Sequence, residues 1–213
     1  YYSWMFKRAP GFFDVVAYGP TAGGVVTHSH NLGVVPELMI FKSRSSVENW
    51  FTYHKDFASP AHHVLLNLAN SISTNSGTLN NTAPTASIFT VGNDNYSNGP
   101  SGQTYIAYLF ATLPGISKVG SYTGTGSAIN VDCGFTSGAR FVLIKRTDSN
   151  GNWVLFDSTR GIVSGNDPYI RLNSTQVQTT DEDHVDPLNA GFTVTTHGDV
   201  NTSGGSYIFL AIA

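Results

Sequence analysis

One eleven-residue phrase occurs twice in this chain, as Ser101-Gly-Gln-Thr-Tyr-Ile-Ala-Tyr-Leu-Phe-Ala111 and as Ser203-Gly-Gly-Ser-Tyr-Ile-Phe-Leu-Ala-Ile-Ala213. Each copy has a glycine turn followed by a run of aromatic and branched residues without charges, which is typical of a buried β-strand. We therefore expect each phrase to form the closing, buried strand of a module. Because the second copy ends the chain, we expect the C-terminus to be held in a sheet.

Other pairs of residues recur at nearly the same distance along the chain. Asn49-Trp50 recurs as Asn152-Trp153, 103 positions later, and Phe89-Thr-Val91 recurs as Phe192-Thr-Val194, also 103 positions later. Recurrence at one fixed period is the sequence signature of a repeated structural unit. We therefore predict a tandem duplication. An N-terminal arm at 1–10 precedes two copies of one module, the first at 11–114 and the second at 115–213.

The composition favours strands and turns over helices. Only 12% of the residues are charged, against about 25% in an average globular domain, and Gly, Ser, Thr and Asn are abundant. Those polar residues loosen a helical backbone or compete with it for hydrogen bonds. Strand-like runs recur every ten to fifteen residues with turn signals between them, so we predict an all-β fold of two tandem, homologous, jelly-roll-like β-sandwiches.

The charge balance and the single cysteine exclude several classes of function. A net charge of −3 without a basic stripe argues against nucleic acid as a partner. No apolar run approaches the 18 residues or more of a membrane helix, so we expect no membrane insertion. The lone Cys133 lies in a strand-like context, where a buried apolar thiol is expected. The chain begins without an initiator Met, and we expect it to be part of a longer protein.

Two groups of residues suggest a metal, and neither has the spacing of a known site. Five histidines crowd the first module without cysteine partners, and we expect them to be polar loop histidines; they are His28, His30, His54, His62 and His63. The acidic run of Asp181, Glu182, Asp183, His184 and Asp186 offers oxygen ligands for Ca²⁺, but it has no acidic counterpart in the first module. We expect a solvated acidic loop there, no bound metal and no cofactor.

No catalytic pattern stands out from the sequence. Hydrolysis of a glycan needs two carboxylates that face each other across a groove, and the candidates Glu48, Asp56, Asp157 and Asp167 are not paired by any spacing. We therefore assign no catalytic residues and expect no enzymatic activity.

Aromatic residues in polar surroundings are the better candidates for binding. Tyr96 lies in the polar stretch Asn93-Asp-Asn-Tyr-Ser-Asn-Gly99, where an aromatic ring is hard to bury, so we predict ligand contacts by Asn93, Asp94 and Tyr96. Trp50 and Trp153 occupy equivalent positions, and stacking on a carbohydrate is one interpretation of them. Their repetition at strand positions favours burial in the core.

Five long phrases closely resemble a duplicated domain of unknown function that is widespread in tail-fibre-like and other virion structural proteins of tailed bacteriophages, especially marine ones. The resemblance extends over essentially the whole chain. The phrases are Trp4-Met-Phe-Lys-Arg-Ala-Pro-Gly-Phe-Phe-Asp-Val-Val16, His30-Asn-Leu-Gly-Val-Val-Pro-Glu-Leu-Met39, Asn81-Thr-Ala-Pro-Thr85, Gly120-Ser-Tyr-Thr-Gly-Thr-Gly126 and Phe141-Val-Leu-Ile-Lys-Arg-Thr-Asp148.

What the resemblance implies is location in the virion and a structural or host-recognition role, with other virion proteins as partners. It implies no catalytic residues. We expect a tail fibre or related appendage that binds a host-surface glycan and forms homo-oligomers, trimers by analogy with other fibres. Two alternatives stay open, a tailspike-like polysaccharide depolymerase and an architectural spacer or capsid decoration that binds no ligand.

Overall fold

A computed structural model describes residues 3–19, 21–100 and 102–213. The first two residues of the predicted arm, and Ser101 at the start of the first repeated phrase, lie outside the described residues. The described chain is 38% strand and 2% helix. The prediction of an all-β, sandwich-type fold is confirmed.

The chain forms two compact units that are not consecutive in sequence. The first comprises the described residues up to His63 together with Thr74–Thr112, and the second comprises Val64–Ser73 together with Leu113–Ala213. The sequence-based cut after residue 114 places residues 64–73 in the first module. In the structure this segment belongs to the second unit, because its backbone bonds to it: the amide of Gly151 donates to Ala69 O, and the amide of Ile72 donates to Thr147 O, both over 2.9 Å.

The first unit is built on an antiparallel sheet of order β1-β8-β3-β4-β5-β6 and a two-stranded sheet of β2 and β7. Strand β5 ends two residues inside the segment 64–73, and β6 begins at its last residue. The strands are β1 Phe13–Tyr18, β2 Val26–Ser29, β3 Leu38–Ser43, β4 Phe51–His54, β5 His62–Leu65, β6 Ser73–Thr74, β7 Ile88–Val91 and β8 Tyr105–Phe110.

The second unit is built on a five-stranded sheet of order β13-β12-β11-β16-β9 and a three-stranded sheet of order β10-β15-β14. A single turn of helix precedes the last strand. The elements are β9 Ser117–Thr123, β10 Ile129–Asp132, β11 Phe141–Arg146, β12 Trp153–Asp157, β13 Ile170–Arg171, β14 Val185–Leu188, β15 Gly191–Val194, α1 Gly198–Asn201 and β16 Ser206–Ile212.

The strand orders of the two larger sheets correspond. Read from one edge, β1-β8-β3-β4-β5 of the first unit matches β9-β16-β11-β12-β13 of the second in chain position and neighbours. The repeated phrases form β8 and β16, and each lies between two other strands of its sheet. They are largely buried, as the sequence predicted, because uncharged aromatic and branched side chains are stable on both faces of an inner strand.

Each unit encloses its own core between its two sheets. In the first unit the ring of Phe41 on β3 meets that of Phe89 on β7 edge to face, with centroids 5.5 Å apart. In the second unit Phe209 on β16 meets Phe192 on β15 in the same way at 5.4 Å. Aromatic pairs of this geometry add to the free energy gained by burying their area. Phe89 and Phe192 are the pair that recurs 103 positions apart.

The N-terminal arm packs on its own unit. Phe6 contacts the rings of Phe13 and Phe110, with centroid distances of 5.6 and 5.5 Å, while Met5 is 93% exposed. The structure contains no helix long and apolar enough to cross a membrane within residues 3–19, 21–100 and 102–213.

Candidate functional site

The densest group of chemically active side chains lies in the second unit, where β13, the start of β14 and α1 meet. We call it the His184 cluster. Its members are Tyr169, Arg171, Glu182, His184, His197 and Asp199.

Local backbone contacts fix the positions of these side chains. The Asp167 carboxylate accepts the amides of His184 and Val185 through one oxygen, at 3.3 and 3.0 Å, and so holds the chain at the entry to β14. His197 is the N-cap of α1, and its Nδ1 accepts the amide of Asp199 at 3.2 Å, as short polar side chains do at helix starts.

The atoms at the centre of the cluster are close together without being hydrogen-bonded. His184 Nε2 lies 3.8 Å from Glu182 Oε2 and 4.0 Å from Asp199 Oδ2, and His197 Nε2 lies 3.8 Å from Glu182 Oε1. These separations exceed the range of about 2.7–3.2 Å for such hydrogen bonds. The two imidazole rings lie side by side, inclined at 37°, with centroids 3.8 Å apart. Glu182, His184 and His197 therefore bring nitrogen and oxygen atoms within 4.8 Å of one another, and Asp199 lies beside His184.

His184 is the most deeply buried member. Its side chain is 0% exposed, and neither Nδ1 nor Nε2 has a hydrogen-bond partner. The rings of Tyr169 and Phe156 lie against it, with centroids 4.4 and 5.6 Å away. A buried imidazole without a partner is uncommon, since the large majority of buried polar side-chain atoms are hydrogen-bonded.

An outer set of hydrogen bonds orients the two carboxylates. The Tyr169 hydroxyl donates to Glu182 Oε2, and Arg171 Nη2 donates to Asp199 Oδ2 over 2.9 Å. The same guanidinium lies 3.4 Å from the Tyr169 hydroxyl. Both carboxylates are thus held by donors on the β13 side of the cluster.

The surroundings keep both carboxylates ionised. The Tyr169 hydroxyl lowers the pKa of Glu182, outweighing its burial. The neighbouring His184, and then the hydrogen bond from Arg171, favour the ionised form of Asp199 and lower its pKa to about 2. Burial, and after it the neighbouring His184, lowers the pKa of His197. Carboxylates and neutral imidazoles are the forms in which these groups bind cations.

The prediction of a solvated acidic loop is wrong for most of this run. Of the run predicted to be a solvated acidic loop, only Asp181 is exposed; Glu182, Asp183 and Asp186 are half-buried, and His184 is buried. The reason is that β14 begins at Val185 and pairs along β15. The contribution of His197 was missed altogether. The pair Glu182-x-His184 carries the available signal, because residues two apart point the same way in extended chain.

The prediction of polar loop positions for the five histidines of the first unit is wrong for His28, His54, His62 and His63, which lie on β2, β4 and β5. His54 and His63 are buried, on β4 and β5, and His30 is 6% exposed. They do not come together: within the described residues, the group of histidine, cysteine and carboxylate side chains close enough to share a metal ion is Glu182, His184 and His197.

The residues predicted to contact a ligand lie in one loop of the first unit. Asn93 is exposed. Asp94 has an internal role, since its carboxylate accepts the amide of Tyr96 at 2.8 Å, the hydroxyl of Thr78 at 3.1 Å and the amide group of Asn75 at 2.8 Å. Tyr96 is half-buried and its ring packs near Phe51, with centroids 6.3 Å apart. Asn93 is therefore the member of this set whose side chain is open to solvent.

Two of the carboxylates considered for catalysis, Asp157 and Asp167, make internal contacts that hold the backbone. Asp157 forms a buried ion pair with Arg160 at 2.6 Å and accepts the amide of Thr159. Burial raises the pKa of Asp167, although it accepts three backbone amides. Asp56 lies 3.9 Å from His54 on the first unit.

The two equivalent tryptophans differ in exposure. Trp153 is 2% exposed, which confirms the core interpretation, whereas Trp50 is half-exposed and lines a shallow aromatic groove. The groove is lined by Trp4, Phe6, Phe13, Val15, Ile40, Trp50, Tyr108 and Phe110. Cys133 is buried, as predicted.

The fold and the site together define an all-β sandwich protein with a buried histidine and carboxylate cluster in its second unit. The chain belongs to the family described as Domain of unknown function (DUF7483), whose model matches residues 8–213. No curated protein and no solved structure matches the chain.

Proposed function

We propose that this chain is a non-catalytic structural module of a bacteriophage virion, part of a tail fibre or related appendage, whose polar connections bind a host-surface glycan. The observation that carries the proposal is the matching strand order of the two larger sheets, β1-β8-β3-β4-β5 and β9-β16-β11-β12-β13. A rigid β-module duplicated in tandem would have the same strand order in both copies. The sequence phrases that resemble the phage family occur in both copies.

The use of charged side chains inside the units supports a structural role. Lys145 donates to three backbone carbonyls, Asp157 pairs with Arg160, and Asp94 ties its own loop to Thr78. Groups committed to such contacts stabilise the fold and are not free to transfer protons to a substrate. A rigid framework with polar loops is suited to presenting those loops to another surface.

Location in the virion is tested by labelling. Antibodies raised against the purified chain should label the tail or its appendages in electron micrographs of the phage that encodes it. Absence of label from purified virions, with the chain detected only in the lysed host, would overturn the virion assignment.

Glycan binding is tested with the soluble chain. It should bind host-surface polysaccharide on a glycan array and compete with phage adsorption, and Asn93→Ala should weaken binding because that side chain is exposed on the predicted loop. Asn166→Ala, at an exposed position of the second unit, is the matched control. Absence of binding would favour the spacer alternative, and release of reducing ends from the polysaccharide would favour the depolymerase.

Homo-oligomer formation is tested separately by light scattering of the full chain and of a chain lacking residues 1–10. A trimer mass that falls to the monomer mass on deletion would place the arm in the interface. A monomer mass for the full chain at micromolar concentration would contradict the expectation.

A further inference from the structure

We propose that Glu182, His184 and His197 bind a divalent transition metal ion of the Zn²⁺ type in the second unit. The proposal is independent of the virion assignment. It rests on the spacing of the ligand atoms, the unpartnered buried imidazole of His184 and the arrangement of charge around the space between them.

The distances between the ligand atoms fit coordination of one shared ion better than direct hydrogen bonds between the side chains. Zn²⁺ binds histidine nitrogen and carboxylate oxygen at about 2.0–2.1 Å in tetrahedral sites, so two of its ligand atoms lie about 3.4 Å apart. Glu182 Oε2 lies 3.8 Å from His184 Nε2, and Glu182 Oε1 lies 3.8 Å from His197 Nε2; both distances are too long for hydrogen bonds and exceed the ligand separation of a tetrahedral site by about 0.4 Å. The ligand atoms of all three residues lie within 4.8 Å of one another.

His184 provides the second, independent observation. Its ring is fully buried, both of its nitrogens lack a partner, and Nε2 points to the space next to Glu182 and Asp199. Coordination through Nε2 would satisfy this buried nitrogen, which no protein group in the described residues does.

The donor set and the charge select the kind of ion. Imidazole nitrogen with carboxylate oxygen suits Zn²⁺ and its neighbours, whereas Ca²⁺ and Mg²⁺ prefer oxygen ligands alone. Glu182 and Asp199 carry negative charge and Arg171 compensates one of them through its 2.9 Å bond to Asp199. One net negative charge remains beside a site for a dication.

The outer contacts have the form expected around a metal site. The Tyr169 hydroxyl holds Glu182 Oε2, and the guanidinium of Arg171 holds Asp199 Oδ2. Such partners orient the ligands, and their removal typically weakens metal affinity 10- to 100-fold.

Metal binding has one definite structural cost at His197. In the structure its Nδ1 accepts the amide of Asp199, so the neutral ring carries its proton on Nε2. To offer the Nε2 lone pair to a metal, the ring must move that proton to Nδ1 and give up the capping bond. Metal binding is therefore expected to change the environment of the Asp199 amide, which is not itself a ligand.

The experiment uses the full chain stripped with a chelator and then titrated with Zn²⁺ by calorimetry. We expect one ion per chain, and with Co²⁺ we expect the visible absorption bands of a tetrahedral site. Glu182→Gln and His184→Asn should each weaken Zn²⁺ binding at least tenfold. The matched controls are Asp181→Asn, next to the site but exposed, and His62→Asn, a histidine of the first unit; both should bind as the wild type does.

Nuclear magnetic resonance and circular dichroism distinguish metal binding at this site from loss of folding. The amide signal of Asp199 in a ¹⁵N-correlated spectrum should shift on addition of Zn²⁺, and Ca²⁺ should produce no shift. Circular dichroism identifies any variant that fails to fold, in which case Tyr169→Phe, which removes only the orienting hydroxyl, replaces it. Absence of Zn²⁺ binding at 100 μM, or binding that is equally weakened by the control variants, would overturn the proposal.

Discussion

Trp153 donates its indole Nε1–H to the backbone carbonyl oxygen of Leu65 over 2.9 Å, although the two residues are 88 positions apart. With the amides of Gly151 and Ile72, this bond holds the segment 64–73 in the second unit. The equivalent Trp50 is half-exposed in the groove of the first unit. Two residues that look alike in the sequence therefore have different structural roles.

We predict that Trp153→Phe destabilises the second unit by about 1–2 kcal/mol, because the Leu65 carbonyl loses its donor and the smaller ring leaves a gap. Trp50→Phe should cost less than about 1 kcal/mol, since Trp50 is partly solvated already. Urea unfolding followed by circular dichroism measures both variants. Equal losses would contradict the different roles assigned to the two rings.

A second prediction concerns the fully buried Lys145, whose Nζ donates to the carbonyls of Ala69, Arg146 and Gly151 at 3.2, 2.7 and 2.9 Å. Lys145→Met keeps much of the apolar stem but leaves these carbonyls without their donor. We expect a loss of about 1–3 kcal/mol in the free energy of unfolding. Lys118→Met, on the half-exposed side chain of β9, is the control and should change little.

Because of Lys145, the free energy of unfolding should also depend on pH. Burial, with the charge of Arg146, lowers the pKa of Lys145 from 10.5 to about 8. Between these values the unfolded chain holds the proton more tightly than the folded one, so the contribution of this lysine to stability rises with pH from about 8 to about 10.5. The difference in unfolding free energy between the wild type and Lys145→Met should therefore grow between pH 7.5 and pH 9.5. A difference that stays constant or shrinks would contradict the assignment.

The thiol of Cys133 should be unreactive towards alkylating reagents in the folded protein. Burial raises the pKa of its thiol from 9.0 to about 12, and the thiolate is the reactive form. At pH 8 the folded thiol should react with iodoacetamide more slowly than the urea-unfolded chain by about a thousandfold or more. Mass spectrometry of timed samples measures both rates, and similar rates would show that the site is open.

Replacement by alanine should affect two glycines of the second unit differently. A Cβ on Gly191 would lie 2.2 Å from the carbonyl oxygen of Val131, so Gly191→Ala must push β15 away from β10 and should cost about 1–3 kcal/mol or more. A Cβ on Gly198 in α1 would meet nothing closer than 3.9 Å, and Gly198→Ala should leave stability unchanged or raise it by up to about 1 kcal/mol. Thermal unfolding measures both, and a stable Gly191→Ala variant would contradict the close packing of these strands.

Much of the sheet framework is predictable from local patterns. The run Phe141–Lys145 reads as an inner strand because it is almost continuously apolar, and it forms β11, buried on both faces. The repeated phrases form β8 and β16. In the short strands β2, β10 and β14, polar and charged residues interrupt the apolar pattern, and pairing with β7 and β15 supplies the stability that their composition lacks.

By itself, the sequence determined the all-β class, the positions of the main strands and the buried state of Cys133, because side-chain alternation and turn residues act over a few neighbouring positions. Tertiary structure alone decided that residues 64–73 belong to the second unit and that Lys145 is buried. It also decided that Glu182 and His184 meet His197. These outcomes depend on which distant segments share a core and exclude water from the same polar atoms, and no local pattern encodes that choice.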